Sequence, residues 1–412
     1  MMAAPSLAGA AWLNTGALAR LLGALDRDGE EARAVGGAVR NALLGMKVGE
    51  IDLATTAAPE EVARRVEAAG MKAVPTGIEH GTVTVVADGA PFEVTTLRRD
   101  IETYGRHAKV AFGRDWKADA QRRDFTINAL SASRDGTVHD YTGGLDDLAA
   151  RKVRFIGDAK TRIEEDYLRI LRFFRFHAGY GEGALDADGL AACIALRAGL
   201  EQLSRERIRM EFIKLLVAER AAPVLQTMAD AGLLLIALNC VPNVTHFSAM
   251  AALERALSLP ADPMRRLGAL AMMIVEDAER LSEKLRLSNA ESAKLISMLE
   301  NWRTLNPQND GREILYRRGA ERFIDRVLFA WARSGAPADD APWRDLATLP
   351  QRWNAPDFPV KAADLMARGL AKGPALGAAL KAAEAAWIAA GFPSGKSALD
   401  KITDDAADNA KQ

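Results

Sequence analysis

The sequence predicts an α+β fold: a sheet-bearing domain over residues 32–155, followed by a remainder that is helical to its end. Three observations predict it. The β-branched runs Val83-Thr84-Val85-Val86 and Phe92-Glu93-Val94-Thr95-Thr96-Leu97 flank the turn residues Ala87-Asp88-Gly89-Ala90-Pro91, a hairpin pattern. Past Phe155 strand signals nearly vanish and helical spacing of apolar residues takes over. A length of 412 residues exceeds what one hydrophobic core organises, so several domains are expected.

Taken in order, Trp12, Leu18, Leu21, Leu22 and Leu25 are spaced as an amphipathic helix that packs on the first domain. A helix opens at Pro59 and runs to Ala69, with Glu60 and Glu61 in the first turn, where the helix dipole favours them. The polar stretch from Leu97 to Lys109, with Gly105, reads as a mobile loop. Breaks at Gly179–Gly183, Pro260–Pro263, Pro307–Gly311, Gly335–Pro342 and Pro356–Pro359 divide the helical part, and residues 403–412 read as a disordered polar end. No internal repeat is found. So much helical scaffold behind a small sheet domain suggests a large substrate.

Composition narrows the class. The chain is 49% hydrophobic and 26% charged, as soluble globular proteins are, with a net charge of -1. There is no global basic field, so nucleic-acid binding must use local patches, with Arg312, Arg317, Arg318 and Arg322 as candidates. Cys193 and Cys240 stand apart from any metal-type cluster and read as reduced, buried thiols of a cytoplasmic protein. No apolar run reaches the roughly 18 residues that span a bilayer. No Lys or Arg precedes Arg20, unlike a secretory signal. The single His-Asp dipeptide, His139-Asp140, lies far from any second ligand cluster, which argues against a metal-dependent phosphohydrolase.

Three constellations carry chemistry. In the first, Gly36-Gly37 lets backbone approach a phosphate group closely and Arg40 offers a bidentate fork. Glu50 and Asp52 follow, placed on one strand face by the period of two. Paired hard oxygen donors suit Mg²⁺, and Glu93, on the outgoing strand of the hairpin, completes a three-carboxylate set for a two-metal phosphoryl-transfer site. A solvated strand face is the alternative reading for each acid alone. In the second, Arg122 and Arg123 run straight into Asp124-Phe125-Thr126-Ile127-Asn128-Ala129, so their charges sit at the edge of a buried segment, suited to a nucleotide's sugar and phosphates.

The third is Glu165-Asp166-Tyr167-Leu168-Arg169-Ile170-Leu171-Arg172-Phe173-Phe174-Arg175. Asp166, Arg169, Arg172 and Arg175 recur every three residues along a drifting helical stripe. A surface helix laced with ion pairs would look the same. A carboxylate with a guanidinium beside it also has a specific use: it accepts from an exocyclic amine while the guanidinium donates to a ring nitrogen. Cytosine and adenine present that pattern, whereas uracil and guanine reverse it.

Gly-Gly-x-x-Arg, E-x-D, Arg-Arg-Asp-Phe-Thr-x-Asn-Ala and Glu-Asp-x-x-Arg, in this order, resemble the class II tRNA CCA-adding enzymes and bacterial poly(A) polymerases. Pro75-Thr76-Gly77-Ile78-Glu79-His80-Gly81-Thr82, Ser204-Arg205-Glu206-Arg207-Ile208 and the segment around Phe358-Pro359, Gly369, Gly373-Pro374, Gly377 and Trp387 extend the resemblance over nearly the whole chain. The resemblance implies a polymerase-β-like nucleotidyltransferase head at 32–155 behind an N-terminal helix at 1–31. An all-α neck at 156–218, body at 219–330 and tRNA-binding tail at 331–402 would follow. It implies Mg²⁺ on Glu50 and Asp52 with Glu93 as third acid. It further implies a triphosphate held by Gly36, Gly37 and Arg40, and a nucleotide held by Arg122 and Arg123. Bases would be chosen by Asp166 and Arg169, supported by Arg172 and Arg175. The implied substrates are CTP, ATP and the tRNA 3′ end, with no protein partner.

Two positions depart from the family pattern, which usually has Asp where Glu50 and Asn41 stand. Glu50 keeps the carboxylate but adds a methylene, which moves a metal unless the strand adjusts. A poly(A) polymerase or partial-adding enzyme would use the same site. A strongly basic C-terminal extension would favour the former, and the end here carries Asp404, Asp405 and Asp408 instead. A non-catalytic RNA-binding protein on this fold is the third reading, and Glu50 is its only support.

Overall fold

A seven-stranded mixed sheet fills the N-terminal part of the chain, in the order β3-β4-β5-β2-β1-β8-β9. The computed structural model describes residues 5–77, 81–104, 107–308 and 310–411. The strands are β1 (Ala32–Val35), β2 (Asp52–Thr55), β3 (Lys72–Gly77), β4 (Thr82–Ala87), β5 (Ala90–Thr96), β8 (Ser131–Ala132) and β9 (Val138–His139); β6 (Arg98–Tyr104) and β7 (His107–Phe112) form a separate ribbon. β4 and β5 are the expected hairpin, closing at Ala87↔Ala90 over Asp88 (φ 51) and Gly89 (φ 79), a two-residue turn whose positive φ values match the strand twist. β2 pairs parallel with β5 and antiparallel with β1. The N-terminal apolar stripe is not one helix: Trp12 lies in a short helix, Ala11–Asn14, that ends at extended Thr15, and the Gly16–Leu25 helix buries Leu18, Leu21, Leu22 and Leu25 and packs on the Pro59–Ala68 helix.

The stretch read as a mobile loop is instead the antiparallel ribbon β6–β7, paired from Arg98↔Phe112 to Tyr104↔His107. Its polar composition hid the β-branched Ile101, Thr103 and Val110, which favour extended backbone. Gly105 of that stretch, and Ile78, Glu79 and His80 of the motif before β4, lie outside the described residues.

Two compact units make up the chain: Met1–Val244 with Glu279–Ser288, and Thr245–Ala278 with Asn289–Gln412. Within the first, the sheet domain and the helices after it share one core. Phe125 and Phe155 from the sheet side meet Phe173 and Phe176 of the Leu168–Tyr180 helix. Their ring centroids lie 4.9 Å (Phe125–Phe155), 5.3 Å (Phe155–Phe173) and 5.4 Å (Phe125–Phe176) apart. Aromatic faces in such offset contact add to the burial energy itself. Cys193 and Cys240 are both buried and neither is in a disulfide.

The second unit is helical. The Pro263–Ala271, Asn289–Leu299 and Ala320–Ser334 helices pack together around a buried ionic network. Glu254 there accepts from Arg265 at 3.0 Å and Arg266 at 2.7 Å, while Asp325 lies 3.2 Å from Lys294 and 3.5 Å from Arg265. The end of the chain, expected to be disordered, is a helix, Lys396–Asn409. Thr403, Ala406 and Ala407 are its buried residues, and the alanines join Leu365, Ala379 and Ala383 in one core. Its aspartates misled because two of them are spent: Asp400 and Asp404 both pair with Arg368. No helix among the described residues is long and apolar enough to cross a membrane.

Candidate active site

The parallel pairing of β2 with β5 sets Asp52 directly opposite Glu93. Phe92 and Val94 are buried and Glu93 is exposed, so the alternation on β5 turns the carboxylate away from the core. Asp52 opens β2. Its carboxyl is held above the usual carboxylate range, first by partial loss of water, then by repulsion from Glu93 and Glu50, with Arg123 pulling the other way. Glu50 is exposed and lies in a bend just before β2 rather than on the strand, so strand alternation does not place it, although it acts on Asp52 electrostatically. Among the described residues no group of three acid, histidine or cysteine side chains closes into a ready-made metal cage. The donor set still fits a hard divalent cation, because its oxygens repel one another and a cation between them would relieve that repulsion.

Gly36 links β1 to the Gly37–Leu43 helix with φ 66 and ψ -118, a conformation that requires glycine. A Cβ there would meet the Arg123 Nη1 atom and the Asn128 carbonyl, each at 3.5 Å, so the turn lies against Arg123. Arg122 and Arg123 both close on Asp119, at 2.7 and 3.1 Å. Burial pushes the Asp119 carboxyl up, but Arg123 and Arg122 outweigh it and hold it below its ordinary value. Arg123 thus acts on Asp52 electrostatically from a braced position, and Arg122 shares the brace.

Arg40 differs from expectation. It is only 5% exposed, and its guanidinium is engaged by Asn128, by Asn41 at 2.9 Å and by the Tyr180 hydroxyl at 2.7 Å, with its centre 3.8 Å from the Tyr180 ring centroid. The geometry makes it a strut between the glycine turn and the Leu168–Tyr180 helix rather than an open phosphate fork. Asn128 continues the chain by donating to buried Asp124, and Asp124 accepts from Arg172 at 2.7 Å.

Asp166 sits in the tight turn between the Ala159–Glu165 and Leu168–Tyr180 helices. It does not pair with Arg169. One oxygen accepts from the Leu168 N–H at 3.1 Å and the other from Arg207 at 2.7 Å. Arg169 donates through Nη1 to the Arg162 carbonyl at 2.8 Å and to Glu165. Arg172 and Arg175 converge on Glu211, which is buried on the Arg205–Leu216 helix, at 3.4 and 2.5 Å. Sequence reasoning assigned no role to Arg207, Glu211 or Asp119. A usable signal was present for Asp119, three and four residues before the arginine pair; the partners of Arg207 and Glu211 lie on other elements, which local spacing does not show.

Of the four arginines offered as a phosphate grip, three are paired: Arg312 with Asp310, Arg317 with Glu313 and Arg318 with Glu300. Arg322 is exposed.

A family described as the poly A polymerase head domain matches residues 32–154, and one described as the probable RNA and SrmB-binding site of polymerase A matches residues 184–245. The chain is 35% identical over 351 residues to the mitochondrial CCA tRNA nucleotidyltransferase 1 of Mus musculus, spanning 84% of this chain and 80% of that one. It is 41% identical over 212 residues to the CCA-adding enzyme of Leuconostoc citreum, spanning 51% of each chain. The crystal structure of the Bacillus stearothermophilus CCA-adding enzyme in complex with CTP is similar at a TM-score of 0.74 and 29% identity, over 95% of this chain and 97% of that one.

Proposed function

This chain belongs to the class II CCA-adding enzymes and is a tRNA nucleotidyltransferase, and from that premise we propose that it adds C, C and A to the 3′ end of tRNA from CTP and ATP. The observation that carries the reading is the register of Asp52 against Glu93, with Arg123 braced beside them. The division into head (32–155), neck (156–218), body (219–330) and tRNA-binding tail (331–402) belongs to the same proposal.

In the reaction the terminal 3′ hydroxyl of the tRNA attacks the α-phosphorus of the nucleotide. The bond from that phosphorus to the bridging oxygen breaks, pyrophosphate leaves with the electron pair, and the hydroxyl proton passes to water. Asp52 and Glu93, with Glu50 beside them, would hold Mg²⁺, which when bound acidifies the attacking hydroxyl and neutralises charge on the phosphates in the two-metal form of such chemistry. Gly36 and Gly37 let backbone approach the triphosphate, and Arg123 offers it a positive partner. Arg40 and Arg122 hold these groups in place.

Base choice falls to Asp166 and Arg169. A carboxylate has about four lone-pair sites and a guanidinium five N–H donors. Neither side chain is exhausted by the contacts it makes here, so Asp166 can accept the exocyclic amine of cytosine or adenine while Arg169 donates to the ring nitrogen. Incubating tRNA that ends at the discriminator base with CTP, ATP and Mg²⁺, and sequencing the product, tests the proposal. Addition of C, C and A followed by arrest is expected. A long adenosine ladder would identify a poly(A) polymerase, and no addition a non-catalytic protein.

A further inference from the structure

The turn that carries Asp166 is held from outside by a glycine. Gly199, in the buried part of the 3₁₀ segment Arg197–Gln202, lies so close to Tyr167 that an added Cβ would enter the tyrosine ring, well inside the 3.0 Å below which real Cβ contacts do not occur. The atoms it would strike are Cγ, Cδ1 and Cε1, the near side of a rigid ring rather than the free end of a flexible chain. We propose that this ring-on-backbone contact positions Asp166 for reading the base, so that Gly199 and Tyr167 are positioning residues for nucleotide selection; this rests on the role given to Asp166 above.

The glycine side of the contact is fixed by packing. Leu200, next to Gly199, is 1% exposed, and the 3₁₀ segment packs on the Leu233–Leu238 helix through its own core. On the other side, three backbone hydrogen bonds tie the turn. Asp166 N–H donates to the Ile163 carbonyl at 3.1 Å, Arg169 N–H to the Asp166 carbonyl at 3.0 Å and Ile170 N–H to the Tyr167 carbonyl at 3.1 Å. A ring pushed off Gly199 therefore strains the Tyr167 backbone and, through it, the placement of its neighbour Asp166. A packing-fixed carboxylate is what discrimination needs, because a wrong base is rejected only if the acceptor cannot swing to meet it.

The test measures kcat/KM for CTP and UTP on one tRNA primer in Gly199→Ala, Tyr167→Ala and Tyr167→Phe, with Asp166→Ala alongside. Gly199→Ala and Tyr167→Ala should each lower the CTP-over-UTP ratio about tenfold or more and raise KM for CTP, leaving KM for tRNA unchanged. Tyr167→Phe, which keeps the ring, should retain the wild-type ratio. A purely structural contact would lower the melting temperature without touching the ratio, and that outcome overturns the inference. So does a loss of ratio in Tyr167→Phe. If Gly199→Ala does not fold, the comparison of Tyr167→Ala with Tyr167→Phe decides. An unchanged ratio in Asp166→Ala removes the base-reading role and this inference together; an impaired Asp166→Ala beside unimpaired Gly199→Ala and Tyr167→Ala removes this inference alone.

Discussion

Asp52 and Glu93 are the two side chains on which turnover should depend most steeply. Asp52→Asn or Glu93→Gln should lower kcat about a thousandfold or more while leaving the melting temperature close to wild type, since both residues are exposed and neither fills the core. Glu50 sits before the strand rather than on it, with freedom to adjust, so Glu50→Asp should be tolerated and Glu50→Gln should not; single-turnover rates distinguish the two. A different residue contributes a pH response in the second unit. Burial pushes the Asp325 carboxyl up to about 6, against the pull of Lys294 and Arg265. Its folded pKa lies above the unfolded value, so between those values the native state binds more protons. Acidification through that window therefore favours the fold at this site. Wild-type protein should lose less stability than Asp325→Asn on going from pH 7 to pH 5, read as the difference in melting temperature.

At the scale of elements, the Leu168–Tyr180 helix does two jobs: its start lies beside the pair proposed to read the base, and its body is joined to the sheet by phenylalanines. Phe173→Ala should cost about 3–5 kcal/mol, as deletion of a buried ring does, and urea denaturation checks it. The element that composition concealed is the terminal helix. Its polar run looked unable to order itself, yet Ala406 and Ala407 sit in a core with Ala383 and Leu365, and Arg368 neutralises two of its acids. Removing residues 403–412 should lower the melting temperature by several degrees, on the scale set by about 1 kcal/mol per few degrees. The alternation that exposes Glu93 and the turn at Asp88-Gly89 were readable because they are local. The saturation of Arg40 was not, since its partners Asn128 and Tyr180 lie 88 and 140 residues away in sequence.

For the whole molecule, a net charge of -1 means that a polyanion must be held by particular side chains. Arg322, exposed, should contribute more than its neighbours Arg317 and Arg318, which are paired with Glu313 and Glu300. Arg322→Ala should weaken tRNA binding and shrink the slope of log affinity against log salt by about one, whereas Arg317→Ala should change it less; filter binding over a salt series reads both. The order of motifs made the two-part plan legible. The shared core of the sheet and the helices after Phe155 was not, because nothing in the pattern of either segment says that their phenylalanines face each other.

The parallel pairing of β2 with β5 also fixes when the protein becomes competent. Parallel neighbours cannot be joined by a tight turn, so the chain leaves Asp52, runs through the Pro59–Ala68 helix, β3 and β4, and only then returns with Glu93. The β4–β5 hairpin can close early because its contacts are local, whereas docking it beside β2 is a long-range closure whose entropy is met late in folding. The two acids therefore meet only after the hairpin has formed, and in a refolding experiment the return of catalysis should lag behind the first appearance of strands.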